Sequence, residues 1–221
     1  MEGLERRELR FAKINRVFVP LYCLASCALA VAYALRLDGY HLGVCLGTLA
    51  IPVALRAFYL LLRLERAHQL DFLILSFSVL AYTLGSGVDF YQRFSGYDKL
   101  VHMLSGVLVS LMCMALFCAL LPGGRPGRRE QPLLLAFTFF GSMAVAGLWE
   151  IGEYALSFIC GRDLQNVAAT GVGDSMQDMI VCMIGTLAAL PAAAQLAGGK
   201  SGLISGAVWA FAEKNLWENP K

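Results

Sequence analysis

Six long apolar stretches, at about 17–35, 42–62, 72–91, 100–121, 133–159 and 176–196, constrain this chain more than any other feature. Crossing the roughly 30 Å of a bilayer's hydrocarbon takes about 20 helical residues, and each stretch is near or above that length. Composition agrees. Hydrophobic residues make up 58% of 221 positions and charged residues 15%, with a mean hydropathy of +0.62. A soluble domain carries about 25% charged residues, so this chain has too little polar surface to cover a globule in water. The expected fold is all-α: a polytopic membrane protein of six transmembrane helices.

The breaks between stretches fall on turn-forming or charged segments: DGYH, RLERAHQLD, QRFSGYD, PGGRPGRREQP and GRDLQNVAATGVGD. Lys and Arg then set the orientation. Thirteen lie on one side: Arg6, Arg7, Arg10, Lys13 and Arg16, then Arg63 and Arg66, then Arg125, Arg128 and Arg129, then Lys200, Lys214 and Lys221. Four lie on the other: Arg36, Arg93, Lys99 and Arg162. Arg56, inside the second stretch, can snorkel to the basic side. The positive-inside rule therefore puts both termini in the cytoplasm, in a multi-pass protein of the inner-membrane type. Residues 1–16 are expected as a basic cytoplasmic segment, 17–197 as the membrane domain and 198–221 as a cytoplasmic tail. The N-terminus lacks a cleavable signal pattern, so the first helix is expected to double as an uncleaved insertion signal. In the tail, a short interfacial helix would hold Trp209, Phe211 and Trp217 at headgroup level. The seven cysteines form no CxxC pair and lie mostly within apolar runs, where they read as small hydrophobes.

Polar residues concentrate at the non-cytoplasmic ends of the last four helices. Asp89 closes the third; Asp98, Lys99 and His102 open the fourth; Glu150 and Glu153 lie in the outer half of the fifth; Asp174 and Asp178 open the sixth. Asp98 with His102, Glu150 with Glu153, and Asp174 with Asp178 are three or four residues apart, so each pair shares a helix face. A charge near mid-bilayer costs about 2.5–3.5 kcal/mol on insertion scales and needs a partner or a watery cavity. Ser105, Gly106 and Gly185 below would let helices approach closely at its base.

Carboxylates with one imidazole are the ligand set of a divalent metal, Zn²⁺ where His102 binds and Mg²⁺ or Mn²⁺ where oxygens dominate. The expected ligands are Asp98, His102, Glu150, Glu153, Asp174 and Asp178. Glu150, Glu153 and His102 are the expected catalytic groups, and Asp89, Arg93, Arg162, Asp163 and Asn166 the expected substrate contacts. Without metal, crowded carboxylates can hold and relay protons. Plainer roles compete: Asp98 and Asp174 suit helix N-termini, His102 can be a core histidine, and Asp89 with Arg93 a helix-end ion pair. Topology accounts for the Arg and Lys residues, so no nucleic-acid patch is expected, and no glycine loop followed by lysine suggests a phosphate cradle.

The strings YDKLVHMLSG (97–106), WEIGEY (149–154) and GDSMQDM (173–179), followed by Gly185, resemble bacterial inner-membrane proteins of the YjdF type. More distantly the chain is similar to VanZ-like proteins, which share a DK-x-x-H start and a late Asp-rich helix start. The resemblance covers roughly residues 70–190; Cys182 departs from it, where relatives would carry Asn. It implies the six-helix plan and, through the VanZ link to glycopeptide resistance, the cell envelope. Three functions are in view: a metal-dependent enzyme acting on a lipid or lipid-linked envelope substrate, a proton- or cation-coupled transporter or flippase, and a non-catalytic envelope factor.

Overall fold

The computed structural model describes residues 2–217, so Lys221, counted above among the basic residues, lies outside it. Six helices are long and apolar enough to cross a membrane, and no strand forms among the described residues. The chain builds α1 (Glu2–Leu35), α2 (Gly39–Leu61), α3 (His68–Ser78) running into a π-helical segment (Val79–Ser86), α4 (Phe90–Arg93), α5 (Tyr97–Leu120), α6 (Gln131–Cys160), α7 (Val167–Thr170), α8 (Gly173–Ala197) and α9 (Ser205–Asn215).

Two elements differ from the sequence expectation. The basic segment is not separate: α1 is one helix from Glu2, because its Glu, Arg, Lys and Leu favour helix and no proline interrupts it before Pro20. The third span starts earlier, at His68, and does not run on to Tyr91 as one α-helix. Its last eight residues are π-helical, with the Gly87 N–H donating to the Tyr82 carbonyl at 2.7 Å. Asp89 then adopts the left-handed conformation (φ 60°) and separates this segment from α4. A Cβ at Gly85 would meet the Tyr91 ring, which would have to move aside.

The helices form two compact units. Unit 1 holds the chain through Tyr97 together with the residues from Gly206 onward; unit 2 spans Asp98–Ser205. In unit 1 the Glu8 carboxylate accepts from the His68 and Gln69 N–H groups at 2.8 and 2.9 Å, capping α3 from another helix. Lys214 of α9 donates to the same carboxylate at 2.6 Å, and Asn215 exchanges bonds with the Glu65 backbone. Buried Asp71 takes Arg66 through two N–H donors and the Tyr59 hydroxyl. Trp209 and Phe211 of α9 are buried, each 8% exposed, and the Trp209 and Trp217 rings meet edge to face at 4.7 Å.

In unit 2, small and polar residues recur at one- or two-turn spacing on three helices: His102, Gly106 and Ser110 on α5; Glu150, Ser142 and Thr138 on α6; Asp178, Cys182 and Thr186 on α8. Such stripes let membrane helices pack closely and bond across the seam. The Ser142 and Thr186 hydroxyls are 2.7 Å apart. A Cβ at Gly106 would strike the Cys182 carbonyl, and one at Gly185 the Met103 carbonyl, so α5 and α8 are in backbone contact. The seven cysteines are free.

Adding a side chain at Gly185 should therefore cost about 1–3 kcal/mol through overpacking. Gly185→Val should lower the thermal midpoint in detergent, whereas Gly147→Ala, where the added Cβ meets nothing within 4 Å, should leave it unchanged or raise it.

Candidate functional site

The N-terminal ends of α5 and α8 supply the core of the site. Asp98 and Lys99 lie in the first turn of α5, with His102 one turn on; Asp174 is in the first turn of α8, with Asp178 one turn on. The Lys99 ammonium sits among three carboxylates: 2.6 Å from Asp174, 2.7 Å from Asp178 and 3.0 Å from Asp98. The side chain of Asp178 is 3% exposed, that of Asp174 14% and that of Lys99 23%. Three carboxylates and one ammonium carry a formal charge of −2, so the site stays electron-rich beside its own lysine.

His102 completes it. Its Nε2 lies 3.4 Å from Asp98 Oδ1 and 3.9 Å from Asp178 Oδ1. Asp98 thus divides its oxygens, Oδ2 toward Lys99 and Oδ1 toward His102. One ligand atom each of Asp98, His102 and Asp178 lies within 4.8 Å of the others, a spacing that can hold a metal ion. Beneath, the Gly106 and Gly185 contacts close the α5–α8 seam, so this part of unit 2 has a packed floor.

The remaining expected residues take other positions. Glu150, 8% exposed, accepts from Gln165 Nε2 at 3.2 Å, and the same amide donates to the Glu150 carbonyl at 3.0 Å. Glu153 accepts from Trp149 Nε1 at 2.9 Å and lies within electrostatic range of His102 and Asp98. Glu153 thus borders the Asp–Lys–His group, and Glu150 is held by Gln165 about one turn away. Asp174 is engaged by Lys99 and by Asn166 Nδ2 at 2.9 Å rather than serving only its helix end. Asp163 caps α7 by accepting from the Val167 and Ala168 N–H groups, and Arg162 is exposed on the adjoining loop.

Asp89 belongs to unit 1. It pairs with His41 Nε2 at 3.0 Å, while Asp38 takes Nδ1 of the same ring at 2.6 Å. Arg93, exposed, meets Asp89 through a backbone N–H bond to its carbonyl rather than as the expected ion pair. The expected site residues leave out Lys99 and Gln165, which lie within the same polar cluster, and Asp38 and His41. For Lys99 the signal is its place directly after Asp98 at a helix start, beside His102 in the same polar cluster, although the expected site gives it no role.

Residues 14–197 match the family described as predicted membrane protein, DUF2238. The chain belongs to this family. It is the YjdF-type family that the motifs resembled, and the match takes in the first candidate span from residue 14, the other five whole, and every residue of the Asp–Lys–His group. The more distant likeness to VanZ-like proteins finds no support in the comparisons. No curated protein and no solved structure matches the chain.

Removing one partner of a buried ion pair leaves an uncompensated charge, at about 3–5 kcal/mol. Lys99→Gln should therefore destabilise unit 2 strongly in detergent unfolding. Lys99→Gln combined with Asp178→Asn should cost less than the sum of the single changes, the sign of direct coupling.

Proposed function

We propose that the chain is a metal-dependent membrane enzyme that hydrolyses or transfers a group on a lipid or lipid-linked envelope substrate from the extracytoplasmic side. The observation that carries this reading is the Asp98, His102 and Asp178 set, from two helices, with ligand atoms within 4.8 Å of one another over a closed floor. Two carboxylate oxygens and an imidazole nitrogen suit Zn²⁺ or Mn²⁺ better than Mg²⁺, which favours all-oxygen shells. A metal held there would polarise an ester and lower the pKa of a bound water. Glu153, within electrostatic range of His102, would be the carboxylate to accept a proton there. Glu150, held by Gln165, fixes the loop after α6 beside it. Lys99, bonded to Asp98, Asp174 and Asp178, holds the ligand carboxylates of the two helices together.

The membrane sidedness rests on the thirteen-to-four division of Lys and Arg, which supports cytoplasmic termini and an outward-facing site in an inner membrane. The envelope assignment follows from that sidedness. The closed floor favours one-sided chemistry over a conduit. One observation favours a second reading, a cation-coupled transporter: Lys99 occupies the carboxylates as a tethered cation, as an exchangeable ion would.

Titration of the purified full-length protein in nanodiscs with Mn²⁺ and Zn²⁺, followed by calorimetry, tests the first reading. One ion should bind, and His102→Ala or Asp178→Asn should weaken binding at least tenfold. Glu153→Gln should keep the ion but lose phosphate release from a polyprenyl diphosphate or phosphatidic acid. Ion binding without turnover, but with cation-driven uptake into vesicles, would favour the transporter. Absence of both would leave a non-catalytic envelope factor.

A further inference from the structure

Unit 1 carries a second polar feature that neither the family nor the metal reading assigns. On α1, buried or half-buried Glu8, Asn15, Tyr22, Ser26 and Tyr33 follow one another at steps of seven, seven, four and seven residues. Those steps keep the residues on one helix stripe. From Glu8 to Tyr33 the stripe runs about 38 Å at 1.5 Å per residue, more than the roughly 30 Å of hydrocarbon. Groups from α2, α3 and the π-helical segment meet it. Asn15 donates to the His68 carbonyl at 2.8 Å. The Tyr22 hydroxyl donates to the Thr48 carbonyl at 2.6 Å and lies 2.9 Å from Ser78 Oγ. Tyr33 donates to the Gly87 carbonyl at 2.6 Å, and its ring stacks on His41 at 4.7 Å. Each end finishes in ionisable groups: Glu8 and Asp71 at one, and His41 between Asp38 and Asp89 at the other.

Not all of these polar groups are satisfied. Asn15 Oδ1, Ser26 Oγ and Thr83 Oγ1 are buried without a hydrogen-bond partner, in residues 5%, 0% and 7% exposed. In unit 2 the Ser110 and Thr186 hydroxyls are bonded to carbonyls, as helix-packing hydroxyls are, and one atom, Thr138 Oγ1, is buried without a partner. Two of the unit 1 atoms stand one turn beyond bonded groups: Ser26 follows Tyr22 on α1, and Thr83, in the π-helical segment, follows Ser78 at the end of α3. Unmet polar atoms at membrane depth are costly, and internal water with two to four polar partners is the chemistry that meets them.

We propose that the unit 1 interior is a water-mediated proton path, running from the Glu8–Asp71 end past Asn15, Tyr22, Ser26 and Thr83 to the His41–Asp89 end. The middle of the path is made of an amide, a phenol and hydroxyls. These groups can continue a hydrogen-bonded chain but offer no carboxylates to strip a metal ion of its water. A proton needs only the chain. This inference does not rest on the reading of unit 2.

The test uses the full-length protein in phosphatidylcholine–phosphatidylglycerol vesicles with a trapped pH dye, under a valinomycin-clamped potassium gradient. Wild-type vesicles should change internal pH at least fivefold faster than protein-free ones. Ser26→Val and Tyr22→Phe should each remove most of that excess, while Leu24→Ala, on an exposed face of the same helix, should not. Tyr22→Phe removes one oxygen only, so it decides the matter if Ser26→Val fails to fold. Wild-type flux equal to that of empty vesicles, or excess flux untouched by both seam substitutions, would overturn the proposal.

Discussion

Water is missing from the hydrocarbon layer, and the polar groups of this chain are arranged by that lack. A buried carboxylate or ammonium has no solvent to fall back on, so it is retained only where the protein supplies a partner. Lys99 shows the solution in its densest form. One flexible stem brings an ammonium within 3.0 Å of three carboxylates on two helices. The same residues tie the starts of α5 and α8 together, just above the level where Gly185 lets the backbones touch. Charge pairing and close packing are therefore two parts of one joint. The ion pairs cannot form unless the helices approach, and a seam lined by such acids is tolerated only because the ammonium sits among them.

Much of this was open to sequence reading, because helix spans and helix faces are local properties. Stretch length and four-residue spacing identify the six spans and put Asp98 with His102, and Asp174 with Asp178, on shared faces. Spacing does not say which groups become partners across helices. Glu150 and Glu153 read as the centre of the site because two acids on one face repel. In the structure each has its own neutral donor, Gln165 from the following loop and Trp149 one turn back. Lys99 read as a topological marker because its sign matched that purpose. Its role depends on the reach of its stem to α8, seventy-five residues on, and no local pattern encodes that distance.

The unit 1 stripe escaped for a different reason. Its members are single polar residues seven or four apart, each diluted by apolar neighbours, so hydropathy averages them away. Only Glu8 is charged, and it lies within the run of charges that sets orientation. His41 and Asp38 fell in what read as a turn. The π-helical segment was equally hidden, since its extra residue per turn leaves composition unchanged. Its effect is geometric. It shifts the faces of the third span, so that Ser78 and Thr83, five residues apart, can follow one another along the interior.

The two units handle membrane polarity in opposite ways. In unit 2 the Ser110, Ser142 and Thr186 hydroxyls are bonded, Thr138 Oγ1 is not, and glycines shut the gap, leaving strong charges concentrated at one end. Such a place can bind and polarise a ligand without opening a route through the layer. In unit 1 charges lie at both ends, and the interior between them is polar but incompletely bonded. An unmet hydroxyl is a poor glue, because the packing it supports must also bear its desolvation. Keeping several such atoms along one interior points to something mobile and hydrogen-bonding that shares the space with them. Water is the smallest candidate, and its presence would turn a flaw in helix packing into a property of the fold.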